Sequence, residues 1–141
     1  MTVVALVDRS RGEEVVLEAA RQAEELETEL HVVFVLGLGK LANMELGFSE
    51  RLGIPTGTDV IEDQCTRIAD EVAGTVLEEE AYEAVGLVGV EADELLEYAE
   101  AVEADCIVVD GRPGVRTDTF SPFQNTMKAL EESEFPIVPV Y

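Results

Sequence analysis

Short apolar runs alternate with longer amphipathic stretches from one end of this chain to the other, and that alternation predicts a doubly wound α/β layer fold. Thr2 to Val7 is unbroken apolar sequence closed by Asp8, Arg9 and Ser10, the signature of a strand covered on both faces. Ser10 or Gly12 can then cap a helix over Gly12 to Thr28. In it Val15, Val16, Ala19, Ala20, Ala23 and Leu26 form one apolar stripe, with Glu13, Glu14, Glu24 and Glu25 outside it. Leu30 to Leu36 repeats the buried-strand pattern and completes a βαβ unit whose crossover should be right-handed. Pro55, Gly57 and Thr58 open a second helix running to about Glu80, with Ile61, Cys65, Ile68, Val72 and Val76 at helical spacing. Tyr82 to Gly89 is a glycine-containing strand suited to a sheet edge.

Ala92, Leu95, Leu96, Ala99 and Val102 give a third helix beginning near Glu91 or Asp93, and it leads into the strand Cys106 to Val109. Ser121-Pro122 has the form of an N-cap followed by a first-turn proline, with Phe123, Met127 and Leu130 as the apolar face of a last helix. The chain closes on Phe135 to Tyr141, a strand whose Pro139 argues for an edge, a bulge or a partner that does not need that N–H. Gly37 to Gly57 breaks the rhythm: Leu38, Leu41, Met44 and Phe48 fit either a loop or a short helix lidding one end of the sheet. With no internal repeat, low-complexity tract or linker, 141 residues predict one domain over residues 1–141, built on five mainly parallel strands with helices on both faces.

Charge changes the picture of where such a domain works. Against 31 acidic residues there are 9 basic ones, for a net charge of -22, while 47% of residues are hydrophobic. The core and the charge must therefore be segregated, and a field of this sign repels phosphodiester backbones and anionic membranes. No nucleic-acid or membrane partner is expected. The acids are spread over nearly every predicted helix, and the lysines are only Lys40 and Lys128. That is the surface expected of a protein working in molar salt, a halophilic cytoplasm, where screening removes most of the self-repulsion. Met1 leads straight into a strand without a basic leader segment, and no apolar run approaches a membrane span, which also points to the cytoplasm.

The chemistry concentrates where the strand Cys106 to Val109 stops at Asp110, Gly111, Arg112, Pro113 and Gly114. A buried parallel strand feeding a glycine-bearing loop and then a helix is where α/β proteins bind ligands. Gly111 and Gly114 suit a phosphate cradle, and equally a turn that needs positive φ. Arg112 and Arg116 suit a phosphate clamp, and equally pairing with Asp110 or Asp118. No catalytic residue emerges: Ser121 has no base, and His31 stands at the start of a distant strand. Gly37-Leu38-Gly39 does not complete a dinucleotide fingerprint. Cys65 and Cys106 sit at apolar positions with no shared short spacing, so they read as buried small hydrophobes, and with a lone histidine they build no zinc site.

Val7-Asp8-Arg9-Ser10, Glu29-Leu30-His31-Val32-Val33, the long variable insertion, Ala104 to Gly111 and the closing Phe135-Pro136-Ile137-Val138-Pro139-Val140 together resemble the universal stress protein family over essentially the whole chain. The resemblance implies a parallel sheet in the order 3-2-1-4-5 and a homodimer joined largely through the last strand, Ile137 to Tyr141. In one branch it implies an adenine nucleotide, ATP or AMP with Mg2+, at the carboxyl ends of strands 1 and 4. Asp8 would then bond adenine and Val35 would lie beside the base. The family's phosphate motif is glycine, two residues, glycine, nine residues, then glycine with serine or threonine. Gly111 and Gly114 match its first half, whereas Gln124 and Asn125 occupy its second, so the motif is degenerate. Gln124 puts a long side chain where the backbone would approach phosphates, although its amide can donate. Asp110 opposes a triphosphate unless a cation intervenes. Two functions fit: a homodimeric binding or regulatory module of stress response, and an adenine-nucleotide sensor or slow ATPase.

Overall fold

Every residue of β1 (Thr2–Leu6) is buried, and the rest of the molecule is layered around it. The computed structural model describes residues 2–7, 12–37, 58–111 and 128–140. In chain order β1 is followed by α1 (Gly12–Leu26), β2 (Glu29–Gly37), α2 (Thr58–Gly74), a 3-10 turn (Glu79–Ala81), β3 (Glu83–Gly89), α3 (Glu91–Ala101), β4 (Ala104–Asp110) and β5 (Ile137–Val140). Residues 128–131 add a further helical turn. The sheet runs β3-β2-β1-β4-β5 with each neighbouring pair parallel. Both strands read as edge candidates, β3 and the proline-bearing β5, are its edges.

Alternation along the strands divides the core into two layers. Val3, Ala5 and Val7 face one way, onto Val15, Val16, Ala19 and Ala23 of α1 and Ala69 and Ala73 of α2. Val4 and Leu6 face the other, with Val33, Val35, Ile107 and Val109, onto Leu95 and Ala99 of α3 and onto Leu130. Cys65 and Cys106 are both buried and form no disulfide, Cys106 inside the first layer and Cys65 in a smaller cluster with Leu36 and Ile61, as their apolar positions implied. Burial, and secondarily Asp105, pushes the Cys106 thiol upward, which keeps it protonated and inert.

The helix-to-sheet contacts differ from the predicted stripes in an instructive way. In α2 the buried line is Ile61, Cys65, Ala69 and Ala73, while Ile68 and Val72 lie half-buried on its flank. Alanines on the inner line let the helix backbone approach the sheet, and Gly86 of β3 is the complementary gap. α2 also stops at Gly74, well before Glu80: Val76 and Leu77 leave the helix but still pack on the core. In α1 the expected apolar residue Leu26 is 50% exposed, because the chain turns away at Glu27. There the N–H of Thr28 donates to Ala23 O at 3.0 Å and that of Glu27 to Glu24 O at 3.2 Å, with Glu27 at φ 53, a left-handed helix stop that normally favours glycine. β2 and β4 are longer than predicted, Glu29–Gly37 and Ala104–Asp110, whereas β1, β3 and β5 are shorter than the predicted runs Thr2 to Val7, Tyr82 to Gly89 and Phe135 to Tyr141.

At β5 the hydrogen bonds fix which residues face outward. Ile107 N–H donates to Pro136 O and Gly111 N–H to Val140 O, both at 2.9 Å, so even-numbered residues address β4. Ile137 and Pro139 therefore turn their main-chain groups to the open edge, where the missing N–H of Pro139 breaks no bond within the sheet. The insertion 38–57, with its loop or lid alternatives, and the first part of the last helix, Ser121 to Met127, lie outside the described residues.

Candidate functional site

The sheet order sets the reversal of winding between β1 and β4, since the chain goes from β1 outward to β2 and β3 and then returns to β4 on the other side. A crevice outside the carboxyl ends of the strands at such a point is where doubly wound sheets take ligands. The described residues there are Val7, Val35 and Leu36, and Asp110 with Gly111. Val7 N–H donates to Val33 O at 2.9 Å, carrying β1 one residue further toward this end. Val35 is 5% exposed and belongs to the α3-side layer, so it can offer a base only the end of a packed apolar side chain. Asp110 is half-buried and registers with Val140.

Gly111 has a specific limitation as a phosphate donor. Its N–H is spent on Val140 O, so main-chain donation to an anion would fall to residues beyond it. Asp8, Arg112, Gly114, Arg116, Gln124 and Asn125 lie outside the described residues. The structure thus brings Val35, Asp110 and Gly111 to the carboxyl end of the sheet, and the remaining candidates stay sequence assignments.

A second polar cluster, unread in the sequence, sits at the amino-terminal end of the sheet on the α3 side. His31 of β2 is buried, its side chain only 8% exposed. Its Nδ1 lies 2.6 Å from the Tyr98 hydroxyl of α3, with the rings tilted at 46°. Its Nε2 lies 3.2 Å from Glu83 Oε2 and 3.4 Å from Glu29 Oε2 yet makes no hydrogen bond. Register explains the grouping: Glu29 is two residues before His31 on the same strand face, and Glu83 is its cross-strand partner on β3. The Glu-x-His spacing at a strand start was visible in the sequence; the cross-strand glutamate was not, because register needs the fold.

Burial pushes the Tyr98 phenol up to about 12, with Glu83 and then Glu29 adding to the effect. A phenol whose pKa is raised by folding contributes stability in full below its ordinary value near 10 and loses it as pH climbs towards 12. Urea midpoints across that alkaline range should therefore fall more steeply for the native chain than for Tyr98→Phe. The variant carries instead a roughly constant loss of about 1 kcal/mol for the missing hydrogen bond to His31. Parallel slopes would show that Tyr98 is not the group responsible.

No protein-family model and no curated protein matches the sequence. Solved structures do resemble the fold. A universal stress protein in complex with cAMP is 20% identical, with 100% of this chain and 96% of that one aligned at a TM-score of 0.64. The universal stress protein from Archaeoglobus fulgidus in complex with dAMP is 22% identical over 100% and 98% of the chains at a TM-score of 0.59. A universal stress family protein from Burkholderia pseudomallei is 17% identical over 99% and 94% at a TM-score of 0.59. At such identities the likeness speaks for the fold.

Proposed function

We propose that this chain is a binding and regulatory module of the universal stress type, whose ligand end is the crevice at the carboxyl ends of β1 and β4. The observation that carries the reading is the sheet order β3-β2-β1-β4-β5, which sets the winding reversal between those two strands and matches what the family-like strand ends imply. It acts by holding a ligand or partner, as a homodimer, without catalytic apparatus of its own. The dimer part draws on the β5 edge, where Ile137 and Pro139 face outward. A halophilic cytoplasm draws on the net charge of -22 spread over the helices. Among the described residues no helix is long and apolar enough to cross a membrane.

A second reading, an adenine-nucleotide sensor or slow ATPase, is favoured by one specific observation: two of the structurally similar proteins hold cAMP and dAMP. Asp8, Val35, Gly111, Gly114, Arg112 and Arg116 would form the site, Mg2+ would offset Asp110, and Gln124 and Asn125 would stand where the phosphate motif departs.

Thermal denaturation with and without millimolar ATP or AMP and magnesium separates the two. A ligand bound by the native state alone, at a hundred times its dissociation constant, adds about 2.7 kcal/mol and raises the midpoint by several degrees. An unmoved midpoint removes the nucleotide reading and leaves the module. The paired substitution Gln124→Gly with Asn125→Ser should then gain nucleotide affinity; if it gains none, Asp110 or the loop is the obstacle. Sedimentation at high salt reads the assembly directly, and a strict monomer at every concentration would remove the dimer.

A further inference from the structure

We propose that Glu29, His31 and Glu83 form a binding site for a transition-metal dication of the zinc class, at the amino-terminal end of the sheet and away from the crevice discussed above. Spacing along the chain set such a site aside, because the cysteines and the lone histidine share no short motif. The register of β2 and β3 supplies what spacing cannot, a carboxylate from each strand flanking one imidazole.

The imidazole is the fixed element. Its side chain is more than nine-tenths buried, and Nε2 is a buried nitrogen without a hydrogen-bond partner, although two carboxylate oxygens stand 3.2 and 3.4 Å away. Neither is aligned with Nε2, as a hydrogen bond would require. Those separations put both carboxylates within reach of an ion on the Nε2 lone pair, since N and O donors each about 2.1 Å from a tetrahedral zinc stand about 3.4 Å apart. Behind the ring, Nδ1 meets the Tyr98 hydroxyl at 2.6 Å, the outer contact that fixes ring orientation and leaves Nε2 as the ligating atom. The Tyr98 oxygen accepts from Nδ1–H in that arrangement.

Charge and access agree. Two carboxylates and a neutral imidazole neutralise a dication, and water can complete the coordination. The same end of the sheet is acidic: Glu24, Glu27 and Glu80 line a cleft of about 620 Å³ together with Glu29, His31 and Glu83, so the local potential concentrates cations. Among the described residues no three such side chains converge on one point as they stand. The Glu29 and Glu83 side chains are 79% and 69% exposed, however, so closing the site needs only surface rotamers to turn about an anchored ring. An imidazole donor selects zinc-class ions over magnesium, which prefers oxygen ligands and its own water. Bound metal would tie β2 to β3 and, through Tyr98, to α3.

His31 is the only histidine in the chain, so imidazole nitrogen NMR of the whole protein reports on this ring alone. Titration with zinc chloride against a background of excess magnesium should move the His31 Nε2 resonance, with saturation at one equivalent, while Nδ1 keeps its protonated signature. Glu29→Gln with Glu83→Gln, at exposed positions that leave the fold intact by circular dichroism, should weaken that response at least tenfold. A His31 resonance that stays put while zinc is taken up elsewhere overturns the proposal, as does a response equal in the double variant. Either result leaves the nucleotide and dimer tests untouched.

Discussion

Replacing Gly86 by alanine is expected to cost about 3 kcal/mol or more, the largest loss from a single added methyl in the described residues. A Cβ built there would overlap Thr66 N and fall 2.5 Å from Glu62 O and 2.6 Å from Cys65 C, all main-chain atoms of α2. No rotamer can relieve the overlap, so the helix must move off the strand as a unit. Moving it also breaks the bond from Gly86 N–H to Thr66 Oγ1 at 3.0 Å, the hydroxyl of which donates in turn to Glu62 O. The measurement is the urea midpoint, with Gly74→Ala as control: there the nearest atom to an added methyl is the Tyr82 hydroxyl at 3.4 Å. The control should be neutral or slightly stabilising, since alanine is the better helix former. Equal midpoints for the two variants would mean that α2 does not ride on β3 this closely.

Leu130→Ala should follow, at about 2–5 kcal/mol. Leu130 is fully buried against the layer that contains Ile107, Val109 and Leu95, with Phe135 packed beside it. It is the described anchor of the stretch between β4 and β5, and it follows Gln124 and Asn125 closely in the chain. The substitution therefore tests two levels together. Stability should fall whatever the ligand, whereas any nucleotide-induced rise in midpoint should shrink only if the crevice at β4 holds the nucleotide. A Leu130→Met variant keeps the volume and should cost under about 1.5 kcal/mol.

Much of this fold is legible in the sequence because burial on both sides leaves an unmistakable mark. β1 reads as unbroken apolar residues since no position of it meets water, and β3 and β5 announce themselves as edges through Gly86 and Pro139. The α2 stripe is legible at Ile61 and Cys65 but not beyond them, for a reason of the same kind. Ala69 and Ala73 carry little hydrophobic signal, yet they are the fully buried residues, because closeness of backbones and not side-chain bulk decides that interface. The stop of α1 was equally opaque: a left-handed residue at a helix end is usually glycine, and here it is Glu27.

At the ligand end, the acid and the glycine after β4 were readable as a loop leaving a strand. That Gly111 N–H continues the ladder to Val140 depends on where β5 begins its pairing, a long-range fact. The His31 cluster was illegible for the same cause: Glu29 and His31 are neighbours in sequence, but Glu83 and Tyr98 reach them only through strand register and helix packing.

The two margins of the sheet are unlike, and that asymmetry governs how chains can join. At the middle of β3 the outward N–H is already taken by Thr66 and the α2 backbone lies against the strand, so a neighbouring molecule finds no free donor there. β5 keeps Ile137 and Pro139 turned outward. Head-to-tail strand addition, which needs one free margin of each kind and would extend without end as a filament, is opposed at Gly86. Among the described residues the margin without that obstacle is β5, and two copies joined there would each turn the obstructed β3 margin outward.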